Sequence, residues 1–237
     1  MTVEPRDSMQ ENSNFSPVLN ATAWIFFLFT VLALAIESGT YFPFGRWIAN
    51  SLVISYFVVQ LYFANPTLRW LMIHMLWLSY LGELLLCEVL EMYSYRTPGI
   101  PLYVPFGHAI VYASGTIWAH QNWAVQLEVP IRKAFIILFA LAFLSVGIGL
   151  NDYFTLGCGG LFFLLLRRKR WQNLYFFIAV CVIFIELAGT YLHCWTWKSK
   201  IVDRIPTVNP PIGAVLFYAG GDVLLAKIVQ KVNKLTI

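Results

Sequence analysis

Eight apolar segments, near residues 18–37, 47–64, 70–91, 105–119, 133–150, 153–166, 172–192 and 211–226, occupy most of this 237-residue chain. Charge clusters and Pro/Gly-containing loops separate them, and most approach the ~20 residues that carry a helix across a bilayer. A chain patterned this way cannot clothe itself for water. Hydrophobic residues make up 59% and charged residues 12%, where soluble domains run near one half and one quarter. Soluble enzymes, disordered chains, coiled coils and collagen are thereby excluded. The expectation is an all-α, polytopic membrane protein with seven to eight transmembrane helices. The fourth and sixth segments are short and are the two whose crossing is open.

If all eight cross, eleven of the sixteen Lys and Arg residues fall on the side of the termini, four of them in Arg167-Arg168-Lys169-Arg170. The positive-inside rule then predicts an integral protein of the inner or plasma membrane with both termini in the cytoplasm. The basic residues lie scattered or at span ends, so the net charge of +4 reflects topology and not nucleic-acid binding. The first apolar run reads as a retained span, with a signal-peptidase site at Ala33-Leu34-Ala35 as the alternative. Cys87, Cys158, Cys181 and Cys194 have no CxxC spacing and suggest neither a disulfide framework nor a zinc site.

The two halves echo each other. Gly107-x4-Tyr112-Ala113-x-Gly115 returns as Gly213-x4-Tyr218-Ala219-x-Gly221, and Tyr93-Ser94-Tyr95 as Trp195-Thr196-Trp197. Ile100-Pro101-x3-Pro105 returns as Ile205-Pro206-x3-Pro210. The chain therefore divides into a polar cytoplasmic stretch 1–17, four-helix repeats at 18–120 and 128–230, and a basic cytoplasmic tail 231–237. Four spans per half give both halves one orientation, related by an axis along the membrane normal.

Ionisable residues inside spans are functional candidates by default. Glu83, Glu88 and Glu91 line a stripe at the outer end of the third segment, and Glu186 and His193 hold the matching stretch of the seventh. Glu88 and Glu186 are the expected acid/base pair, with Glu83 or Glu91 as partner carboxyl. Glu37, Glu91 and Asp152 read rather as interface acids that merely end spans. His108, one turn from Tyr112, can complete a proton relay. Tyr93, Tyr95, Trp195, Trp197 and Tyr112 would shape a substrate pocket whose rings hold a carbocation, and Asn209 would position water or substrate. His74 and His120 read as packing residues. For Asp222, pairing with a base and a role in a proton path both stay open.

Several chemistries drop out. Four scattered His without HxxxH or HxxHH spacing cannot supply a di-iron oxygenase, and no DxxxD-type diphosphate site is present. Gly157-x-Gly159-Gly160 lies in an apolar run without a βαβ context and reads as close helix packing. No metal and no cofactor are expected.

The string Glu88/Glu91, Tyr93-Ser94-Tyr95, Ile100-Pro101-Leu102-Tyr103-Val104-Pro105, then Trp195-Thr196-Trp197 and Pro206-Thr207-Val208-Asn209 resembles a known family. It is similar to integral-membrane carotenoid-biosynthesis proteins of the bisanhydrobacterioruberin-hydratase type, as is the loop Glu37–Gly45 with its Phe42-Pro43-Phe44-Gly45. The Phe-Pro-Phe-Gly stretch stands farther upstream here, and His108 occupies a position where the family pattern has an aromatic-rich helix start. The resemblance implies cofactor-free acid/base chemistry on a carotenoid or other isoprenoid, such as adding water to a terminal double bond. Two other classes stand beside a hydratase, cyclase or isomerase: a proton- or cation-coupled transporter, and a non-catalytic membrane subunit. Oligomeric state is not legible.

Overall fold

The computed structural model describes residues 15–39, 44–170 and 172–235, with side chains to 229. Phe42 and Pro43 of the first loop, the N-terminal stretch and the tail side chains lie outside the described residues.

Each apolar segment forms a helix. These are α1 (Pro17–Glu37), α2 (Gly45–Phe63), α3 (Pro66–Glu83, continued by a π-helical turn Leu84–Val89), α4 (Tyr103–Ala119), the short α5 (Asn122–Gln126), α6 (Glu128–Gly149), α7 (Tyr153–Arg168), α8 (Asn173–Tyr191) and α9 (Val215–Leu235). Helix starts follow local chemistry. Ser16 Oγ accepts from Leu19 N–H at 3.2 Å and Asn65 Oδ1 from Leu68 N–H at 2.8 Å, each followed by a proline at the first helical position, where its missing N–H costs nothing. Asp152, expected to end the fifth span, instead caps the start of α7 by accepting from Thr155 N–H at 2.7 Å and Thr155 Oγ1 at 2.8 Å.

Among the described residues, five helical stretches are long and apolar enough to cross a membrane: Pro17–Glu37, Pro66–Val89, Glu128–Gly149, Asn173–Tyr191 and Ile212–Val229. Their outward faces carry large apolar side chains such as Trp24, Leu28, Trp77, Leu138, Leu141 and Ile148. Soluble monomers do not expose patches of this extent, so the surface fits a multi-pass membrane protein.

At the centre stands α4, with 12 of its 17 residues buried. It packs against α1, α2, α3 and α8, while α9 packs against α3, α7 and α8. The third helix of each half thus rests on the fourth helix of both halves. Close approach of α4 to α8 depends on Gly115, where a Cβ would sit 2.5 Å from Ile178. Of the glycines at 157–160, Gly159 backs directly onto Phe143, whereas Gly157 and Gly160 face open space.

The fold is all-α as expected, with two short strand pairs among the described residues. β1 (Tyr93–Tyr95) pairs antiparallel with β2 (Trp195–Trp197) in the register Tyr93↔Trp197, Ser94↔Thr196, Tyr95↔Trp195. Lys198 N–H to Met92 O and Arg96 N–H to Cys194 O, both 2.9 Å, extend the ladder. β3 (Lys200–Ile201) and β4 (Ile205–Pro206) form a second pair. A strand of three residues is too short to announce itself by alternation, and its partner lies a hundred residues away.

Candidate functional site

The π-helical turn begins directly after Glu83 and none of its residues is buried. Glu83, in the last α-helical position, is 5% exposed and turned into the bundle. Both tyrosines of β1 donate to the same oxygen, Glu83 Oε2: Tyr93 Oη at 2.6 Å and Tyr95 Oη at 2.5 Å. The other oxygen, Oε1, faces His108 Nε2 at 3.0 Å. His108 comes from the first turns of α4, and its ring stacks on Tyr218 of α9, centroids 4.6 Å apart and planes 5° from parallel.

The second half builds a matching cluster from indoles. Glu186, 6% exposed on α8, accepts at Oε2 from Trp195 Nε1 (2.9 Å) and Trp197 Nε1 (3.0 Å). Trp195 fits because Gly189, one turn beyond Glu186, has no side chain; a Cβ there would lie 1.9 Å from Trp195 Cη2. The ladder joins the clusters, with the Tyr93 and Trp197 rings 4.6 Å apart. Burial, and then the Glu83 charge, push the hydroxyls of Tyr93 and Tyr95 above the ordinary phenol value, so both stay protonated donors.

Both acids line one cavity of about 420 Å³, within the range of small-molecule sites. Its wall includes His108, Tyr93, Tyr95, Trp195, Trp197, Tyr112 and Tyr218, and is otherwise mainly aliphatic and aromatic. Leu81, Leu85 and Leu224 belong to the same wall and are half exposed on the outside of α3 and α9. The cavity wall therefore extends to the exposed apolar surface between those two helices. Gly82, Gly107 and Gly221 also line it, and a Cβ on any of them would meet nothing within 4 Å.

The other sequence candidates stand elsewhere. Glu88 is exposed and lines no part of the cavity. The expected stripe with Glu91 requires a continuous α-helix to 91, whereas the chain leaves the helix at Leu90 and Glu91 takes φ 46°. Glu91 instead accepts from Lys198 Nζ at 2.8 Å across the ladder; that bond holds its carboxyl below the usual range. Asn209 is exposed and its Oδ1 accepts from Trp197 N–H at 3.1 Å, so it braces β2 without reaching the cavity. His193 is an exposed turn residue at φ 56°. His74 and His120 each bond a carbonyl one turn back, those of Trp70 and Thr116. Glu37 is fully buried beneath Arg46 and Arg96, both 3.3 Å from its Oε1, and ties the end of α1 to the start of α2 and to the residue after β1.

Tyr218 was legible only as the echo of Tyr112, and nothing in the sequence said that His108 stacks on it. No protein-family model matches the chain, and no curated protein or solved structure matches it either.

Proposed function

We propose that this chain is a multi-pass membrane enzyme that carries out cofactor-free acid/base chemistry on a carotenoid or other isoprenoid lipid, of the hydratase, cyclase or isomerase type. The observation that carries the reading is the pair of buried carboxyls, Glu83 and Glu186, facing one apolar cavity whose wall extends to the exposed apolar surface. A soluble substrate has no use for a mouth between Leu81, Leu85 and Leu224, whereas a chain dissolved in the bilayer enters there without crossing water. Only the end of a long isoprenoid fits a cavity of about 420 Å³, with the remainder lying along the mouth.

In this reading the Glu83–His108 pair holds a mobile proton and delivers it to the double bond nearest the enclosed end of the chain. The rings of Tyr93, Tyr95, Trp195 and Trp197 stabilise the cation that results. Glu186 then accepts a proton, either from an added water molecule or from the neighbouring carbon. The proton gained equals the proton lost, so the chain needs no cofactor for the step. Glu83 takes the place that sequence reasoning offered to Glu88.

We propose further that the chain is a tandem repeat of two four-helix units, with eight crossings and both termini on the cytoplasmic side. Equivalent side chains with equivalent bonds support the repeat. Asn50 Oδ1 accepts from Tyr103 N–H at 2.9 Å, and Asp152 Oδ2 from Val208 N–H at 3.2 Å; in both halves the second helix thus grips the chain near the fourth. A relation to the bisanhydrobacterioruberin-hydratase family belongs to the same proposal.

Lipid-extract mass spectrometry of cells carrying wild type, Glu83→Gln, Glu186→Gln or no protein tests it. We expect an isoprenoid changed in mass by one water molecule, or isomerised, with wild type alone. An unchanged lipid profile in the native host removes the enzyme reading.

A further inference from the structure

Among the described residues, every buried acid but one accepts at least one hydrogen bond or ion-pair contact within the protein, although Glu37 leaves its Oε2 unpartnered. Glu83 has three, Glu186 two, Asp152 three and Glu37 two arginines. Asp222 is the exception. It lies in α9 at 4% exposure, it lines the cavity, and its Oδ2 has no hydrogen-bond partner among the described residues. Tyr112 and Tyr218 line the same cavity, yet neither phenol hydroxyl bonds to Asp222 Oδ2. Asp222 shares the cavity wall with Gly221, where a Cβ would touch nothing within 4 Å. A carboxyl in an apolar wall without a partner is costly, and such a group facing open volume is suited to a ligand that brings a hydrogen bond.

We propose that Asp222 is the recognition group for a hydroxyl on the substrate, so that the cavity selects isoprenoid alcohols over isoprenoid hydrocarbons. The inference rests on the reading of this cavity as an isoprenoid site, and adds to it the polar function the substrate must carry. Helix geometry sets the spacing. Tyr218 and Asp222 are four residues apart on one face of α9, roughly 6 Å along the axis, and Tyr218 carries the stacked His108 ring. A bound alcohol therefore places its oxygen in the same cavity as the Glu83–His108 pair, one helical turn along α9 from the residue on which His108 stacks. Its chain leaves between Leu81, Leu85 and Leu224. An alcohol both donates to and accepts from a carboxyl, so the match holds in either protonation state of Asp222.

The test uses the full-length protein in nanodiscs and two probes, geranylgeraniol and the hydrocarbon in which hydrogen replaces its hydroxyl. Binding is read by ligand-induced shift of the thermal midpoint and by native mass spectrometry. Wild type is expected to bind the alcohol about tenfold more tightly than the hydrocarbon, the scale of one hydrogen bond to a carboxyl. Asp222→Leu is expected to abolish that preference while still binding the hydrocarbon. Asp222→Asn, which keeps the shape and a hydrogen-bonding group, guards against misfolding and is expected to retain a reduced preference. Glu83→Gln and Glu186→Gln are expected to keep the preference intact. Equal binding of both probes by wild type, or a preference that survives Asp222→Leu, overturns the assignment and leaves the enzyme reading standing. Binding of neither probe overturns both. A preserved alcohol preference beside an unchanged cellular lipid profile overturns only the enzyme reading.

Discussion

Replacing Gly189 by alanine tests the indole cluster at its tightest point. In an unconstrained helix interior this change stabilises by ~1 kcal/mol, because glycine is the more flexible residue. Here the new Cβ would lie 1.9 Å from Trp195 Cη2 and 2.2 Å from Cζ2. Ordinary contact begins near 3.4 Å, so the ring has to retreat by about 1.5 Å, the difference of those distances. Trp195 is buried and its Nε1–H donates to Glu186 at 2.9 Å; the same retreat carries that bond out of range. Overpacking costs about 1–3 kcal/mol and the lost bond to a carboxyl about 1.5–3 kcal/mol. After subtracting the helix gain, a net loss of roughly 3 kcal/mol is expected, a fall of ~6–12 °C in the thermal midpoint for a chain of this size. The assay is thermal unfolding in nanodiscs over a double-mutant cycle with Trp195→Leu. Once the indole is gone, Gly189→Ala should become neutral or stabilising. A neutral Gly189→Ala in the wild-type background, or an equal loss in the Trp195→Leu background, would refute the close approach.

Other expectations follow from the same geometry. Tyr93→Phe and Tyr95→Phe each remove one short donor to Glu83 Oε2, and each should slow product formation about tenfold, measured by lipid mass spectrometry at matched protein levels. Asp152→Ala deletes the cap of α7 and the tie to Val208; it should lower stability by about 2 kcal/mol in unfolding measurements and leave probe binding in the cavity unchanged. The Glu91–Lys198 bond holds the Glu91 carboxyl below its ordinary value. Its contribution is therefore present above that ordinary value and lost as pH falls through the lowered one. Carboxyl-selective NMR titration of Lys198→Ala should return Glu91 to the ordinary range. Glu91→Gln and Glu88→Gln should both leave activity intact, since neither side chain reaches the cavity.

Much of the architecture is legible in the residue string because bilayer-scale apolar runs leave a chain few options. Hydropathy, with breaks at charge and Pro/Gly clusters, marked the eight segments that form helices, whereas the caps at Ser16, Asn65 and Asp152 emerged only in the structure. The two aromatic-x-aromatic motifs pointed to matching positions in the two halves, and Glu83, Glu186 and His108 stood out because ionisable groups are costly in apolar sequence. Which acid faces inward was a different matter. Helical periodicity assumes that a helix continues and that its neighbours cover it, and at Glu88 and Glu91 neither condition holds. The π-helical turn runs on without burying a residue, and the chain turns off at Leu90.

Tertiary structure alone decided the pairing of Tyr93–Tyr95 with Trp195–Trp197, the donation of each aromatic pair to its own carboxyl, the stacking of His108 on Tyr218, and the lone position of Asp222. Each of these is a contact between residues distant in the chain or in the aim of a side chain. Composition and spacing report which residues a helix carries and how often; they are silent about which neighbouring helix closes over them.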